Sequence, residues 1–112
     1  MSRWLAKLWG LALMARTFPN IHFGFCWIPA LSHALAKRLM DEMFDMVPAN
    51  KLLIGMDSGS IEAFYGTTLI TRELVAQVLA SKVDSGLISR RAAANIARRF
   101  LHDNALALFS RD

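Results

Sequence analysis

The chain has 112 residues, of which 54% are apolar, and a formal net charge of +4. That length suffices for one small domain but is less than half of the roughly 250 residues in a complete eight-stranded α/β barrel. The single cysteine, Cys26, excludes an internal disulfide and a C-x-x-C redox or zinc motif, and it fits a reducing, cytoplasmic compartment. Because the basic residues are dispersed along the sequence, we expect no nucleic-acid partner.

The first predicted element is a helix from about Ser2 to Arg16, followed by a turn at Pro19-Asn20. Its apolar stretch, Trp4 to Ala15, is interrupted by Lys7 and is shorter than the roughly 20 residues needed to span a membrane. We therefore expect a helix packed on a sheet and no membrane partner. A secretory signal or a membrane-surface helix is the alternative.

Two short apolar segments predict strands, an aromatic one at about 21–27 and a second at about 51–56. Between them, apolar residues at helical spacing predict a helix from Pro29 to Met46, with Leu31 on its buried face. After the second strand we expect a loop from Asp57 to about Ile70.

The rest of the chain predicts helices with recognisable ends. Thr71 is expected to cap a helix that terminates at a left-handed Gly86. Ser89 is expected to cap the next helix, and Asn104 a last short turn.

This alternation is typical of consecutive βα units with parallel strands, so the predicted fold class is α/β. Two strands do not make a stable sheet by themselves. We therefore interpret residues 1–112 as a single incomplete domain that needs further strands, from the same chain or from a partner.

Three segments carry a family resemblance: Pro19-Asn20-Ile21, the run from Pro48 through Leu52-Leu53-Ile54-Gly55-Met56 to Asp57, and Asn104-Ala105. Together they resemble the C-terminal part of an amidohydrolase-related, metal-dependent hydrolase with a TIM barrel, in the glutamine-synthetase-associated, nodulin-like branch. The similarity runs over nearly all of residues 17–109. It implies a partial TIM barrel in which 21–27 and 51–56 are the seventh and eighth strands, with helices outside.

The resemblance also implies a role for Asp57, which follows the last strand. In that family this aspartate binds or faces a divalent metal, here expected to be zinc, and accepts a proton from the attacking water, a task that suits a carboxylate. Without the resemblance, Asp57 is equally well explained as a turn residue bonded to the amides of Ser58 and Gly59. One carboxylate cannot hold a catalytic zinc. The family's histidine-bearing strands have no counterpart here, so we expect this segment alone to be inactive.

The complete barrel would hydrolyse a C–N or similar bond of a small-molecule substrate. Trp27, Ser58, Glu62 and Tyr65 are weak candidates for its pocket, and Trp27 is better explained by core packing. A uronate-isomerase-like enzyme shares the same final elements and is one alternative. A small non-catalytic helical module that self-associates through exposed apolar faces is another.

Overall fold

The computed structural model describes residues 3–26, 28–55 and 59–110, with side chains described for 7–25, 28–55 and 59–110. Two strands are present in this part of the chain: β1 (Phe23–Cys26) and β2 (Leu52–Gly55). The α-helices are α1 (Arg3–Thr17), α2 (Ile28–Leu31), α3 (His33–Met46), α4 (Ile61–Asp84), α5 (Arg90–Arg98) and α6 (Asn104–Phe109). A 3₁₀ turn at Ala49–Lys51 precedes β2, and a π-helical turn at Arg99–Asp103 joins α5 to α6.

The two strands pair in parallel, with Phe23 opposite Leu52 and Cys26 opposite Gly55. The helices α2 and α3 make the crossover between them, as a parallel connection requires. The mixed α/β class and the parallel pairing are therefore confirmed, in a fold that is mostly helical. Two strands with their helices do not constitute a barrel, so the partial TIM barrel stays a prediction.

Four aromatic rings form the centre of the core. Phe25 is fully buried, and its ring lies 5.1 Å from Phe23, 6.4 Å from Phe44 and 5.2 Å from Phe100, all in edge-to-face geometry. Burying one such side chain contributes about 1.5–3 kcal/mol, with a further 0.5–1.5 kcal/mol for an aromatic pair. This cluster joins β1 to α3 and to the π-helical turn.

The opposite face of the sheet is less covered. Side chains alternate between the two faces of a strand, so Gly24, Leu53 and Gly55 point away from the aromatic cluster. Both glycines are exposed and Leu53 is half-buried. Parallel sheets are ordinarily covered on both faces, so this open face is unusual.

The predicted helix from Pro29 to Met46 is in fact two helices. Ser32 has extended backbone (φ −158°), and its hydroxyl accepts a hydrogen bond from the Leu35 amide at 3.2 Å, which caps the start of α3. Leu31 lies before this break and is 72% exposed, so its assignment to the buried face was wrong.

The loop predicted from Asp57 to Ile70 is also wrong in its larger part, because α4 begins at Ile61. Ser60 caps it by accepting a hydrogen bond from the Ala63 amide at 3.1 Å. Thr71 does not cap a helix; its hydroxyl donates to the Thr67 carbonyl at 2.8 Å inside α4. The predictions for Gly86, at φ +80°, and for the Ser89 cap are confirmed.

Two buried lysines and one buried asparagine tie the elements together. The ammonium of Lys51 donates to the carbonyls of Ala15 and Phe18, where it binds the C-terminal end of α1. Lys82 on α4 lies 2.8 Å from a carboxylate oxygen of Asp41 and 2.8 Å from one of Asp45, both on α3.

Asn104 does not cap a turn as predicted. Its side-chain amide donates to the carbonyls of Ala49 and Leu52 at 2.6 and 2.8 Å, across the start of β2. This places the C-terminal helix against the sheet. No helix in the described ranges is long and apolar enough to cross a membrane.

Candidate functional site

The carboxyl ends of the two strands lie side by side, at the pair Cys26 and Gly55. In open parallel sheets and in α/β barrels, ligands bind at this end of the strands. Trp27 follows Cys26 directly in the sequence, and Asp57 and Ser58 follow Gly55 after Met56. Trp27, Asp57 and Ser58 all fall outside the described residues, so their predicted roles stay predictions.

The other two predicted pocket residues lie on the first turns of α4. Glu62 and Tyr65 are three positions apart on this helix, and both are exposed, Tyr65 to 65%. Neither residue lines the groove beside β2 that is described below. The structure therefore places both residues on the surface. They follow β2 closely in the sequence but do not contribute to that groove.

A groove of about 490 Å³ does lie beside the end of β2. Apolar side chains form much of its wall, and Thr68, Thr71 and Arg72 supply its polar groups; the lining is Ile54, Phe64, Thr68, Thr71, Arg72 and Leu101. Its size is within the usual range of small-molecule pockets. The sequence analysis did not identify any of these three polar residues as a site residue. It assigned Thr71 to a helix cap.

The described side chains of this groove offer hydrogen-bond acceptors and one positive charge to a ligand. The Thr68 and Thr71 hydroxyls donate to the carbonyls of Phe64 and Thr67, both at 2.8 Å, so toward a ligand they can only accept. Arg72 brings a permanent positive charge. Among the described residues that line the groove there is no carboxylate, imidazole or thiol that could act as a general base or nucleophile.

The zinc that the family resemblance implies finds no site among the described residues, where no group of three or more His, Cys, Asp or Glu side chains comes together. Of the histidines, His22 precedes β1, His33 begins α3, and His102 lies in the π-helical turn, 2.9 Å from the neighbouring Asp103 carboxylate. They are on different elements, so this part of the chain does not fit a catalytic metal.

A cluster that the sequence did not indicate links Lys82 on α4 with Asp41 and Asp45 on α3. Burial by itself would lower the pKa of Lys82, but its hydrogen bonds to Asp41 and Asp45 and their negative charges outweigh it and raise the pKa above 10.5. A lysine with a raised pKa stays protonated and cannot act as a base near neutral pH. The cluster therefore links α3 to α4 and has a structural role.

Comparisons of the chain with protein-family models, with curated proteins and with solved structures returned no match. The amidohydrolase resemblance accordingly rests on the sequence motifs alone.

Proposed function

We propose that this chain supplies the last two βα units of an amidohydrolase-type barrel, which in its complete form is a cytoplasmic, metal-dependent hydrolase of a small molecule. The observation that carries the proposal is the parallel pairing of β1 with β2 while the face bearing Gly24, Leu53 and Gly55 stays open. In a barrel, that face would meet the side chains of the remaining strands. The covered face, with Phe25 against Phe44, corresponds to the helical layer.

The residue proposed to take part in the reaction is Asp57, as proton acceptor. Its support is its place in the sequence, two residues beyond the carboxyl end of β2, where barrel enzymes carry their catalytic groups. Metal ligands would have to come from strands other than β1 and β2. We therefore expect the chain by itself to have no hydrolytic activity.

The experiment has two steps. The DNA upstream of Met1 is read for an in-frame segment that encodes a His-x-His pair, and any longer product is expressed with zinc and assayed on amides and, for the isomerase alternative, on hexuronates. We expect metal-dependent amide hydrolysis that Asp57→Asn lowers by orders of magnitude. Asp84→Asn, an exposed carboxylate at the far end of α4, is the matched control and should leave the rate unchanged.

Failure of either step would refute the proposal: no upstream histidine-bearing segment, or a longer product with a rate indifferent to Asp57→Asn. Hexuronate isomerisation with the same dependence on Asp57 would assign the uronate-isomerase alternative.

A second candidate is a non-catalytic interaction module, favoured by the first half of α4. Four large apolar side chains there are about half exposed or more: Ile61, Phe64, Tyr65 and Leu69. Such surface on one helix is typical of an interface. A sedimentation experiment would show self-association that Ile61→Glu weakens, with Leu87→Glu, an exposed apolar residue in the loop before α5, as the control. A monomer at all concentrations would exclude self-association.

A further inference from the structure

One of the two basic segments of the chain lies near its C-terminal end. Residues 85–102 contain four of the 13 basic residues, Arg90, Arg91, Arg98 and Arg99, and none of the nine acidic ones. The other basic segment is residues 1–40, with five basic residues and no acidic one, whereas residues 41–84 carry a net charge of −4. The dispersion seen along the sequence therefore conceals an asymmetry in charge.

Two of these arginines, Arg91 and Arg98, lie on the same side of α5. Successive helical residues are separated by about 100°, so Arg91 and Arg98, seven positions apart, lie on the same line of α5 and about 10 Å apart along its axis. Both are exposed, as are Arg90 and Asn95, while Ala93 and Ile96 on the opposite side pack against the core.

A shallow depression lies along this exposed face. It is lined by Ser89, Arg91, Ala92, Ala94, Asn95 and Arg98, so two arginines border it together with mostly small side chains. None of the four arginines forms an ion pair with another described residue. The face therefore presents permanent positive charge with room for an anionic group to approach the helix closely.

We propose that this face of α5 binds the phosphate backbone of a nucleic acid, an inference independent of the proposed hydrolase function. Phosphates recur every 3.4 Å along each strand of a duplex, so the spacing from Arg91 to Arg98 covers several of them. A membrane is the less suitable partner, because a helix that binds a membrane surface inserts its apolar face into the lipid. The apolar face of α5 already packs against the core of the protein.

The test uses fluorescence anisotropy of the whole chain with a short, fluorescein-labelled duplex of mixed sequence, between about 50 and 200 mM KCl. We expect a sequence-independent Kd of about 10⁻⁴ to 10⁻⁶ M and a logarithmic loss of affinity with salt. Arg91→Gln with Arg98→Gln should weaken binding about tenfold or more at the lowest salt and reduce the slope by about 2. Lys37→Gln with Arg38→Gln removes the same charge from an exposed part of α3 and is the control.

Three results would overturn the inference. One is a lack of duplex binding at low salt, and another is an equal loss in the control variant, which would indicate net charge and not this face. The third is binding to phosphatidylserine vesicles without binding to the duplex. Because the altered side chains are on the surface, the far-UV circular dichroism spectrum should match that of the unaltered chain, so a change in binding is not a change in folding.

Discussion

The interaction of Lys82 with Asp41 and Asp45 predicts that removing the lysine and removing the two aspartates lower the free energy of unfolding by different amounts. Lys82 is only 4% exposed, whereas each carboxylate side chain is 60% exposed. Lys82→Met keeps the apolar stem and removes the ammonium. Water then solvates the two carboxylates, so each lost ion pair counts as a partly exposed one, about 0.2–1 kcal/mol after screening. We expect a total loss of about 0.4–2 kcal/mol in the free energy of unfolding.

Removing the carboxylates has a different consequence. Asp41→Asn with Asp45→Asn leaves the buried ammonium without an anionic partner, for which the cost is about 3–5 kcal/mol. Adding Lys82→Met to this double variant should therefore restore part of the lost stability. Urea unfolding followed by circular dichroism at neutral pH measures all three variants. If the double asparagine variant is as stable as Lys82→Met, the buried charge does not dominate and the reasoning is wrong.

The same cluster predicts a dependence on alkaline pH. The two aspartates raise the pKa of Lys82 in the folded state above that of the unfolded chain. Its stabilising contribution is therefore complete below about pH 10 and is lost as the pH rises through the folded-state pKa. Between about pH 9 and pH 12 the unaltered chain should lose more stability than Lys82→Met, and parallel pH profiles would contradict this assignment.

The remaining predictions concern packing and backbone. Phe100→Ala should lower the free energy of unfolding by about 3–5 kcal/mol, because the ring contacts Phe25 and Phe44. The control Phe109→Ala, at a 76% exposed site, should change it by no more than about 0.5 kcal/mol. Equal losses in the two variants would argue against this core. Asn104→Ala leaves two backbone carbonyls without its donor and should cost about 1–3 kcal/mol in urea unfolding, more than Asn95→Ala on the exposed face of α5.

Local sequence signals located several boundaries correctly. Ser89 caps the start of α5, and Gly86 follows the end of α4, as capping rules predict. These positions are predictable because a cap depends only on neighbouring residues. The start of α4 was missed for the complementary reason. Gly66 and the β-branched Thr67 and Thr68 lower helix propensity over that stretch. The second half of α4, packed on α3, and the Ser60 cap outweigh this local preference.

The sequence by itself determined the two strands and their parallel order, since hydrophobic periodicity and turn residues act over a few positions. Only the tertiary structure decided which polar groups are internal. Nothing local distinguishes Lys82 from an exposed lysine, or Asn104 from a cap, because their partners lie 37 to 55 residues away. The arginine face of α5 arises in the same way: the helix places the charges together, and packing of its opposite side against the core leaves them facing outward.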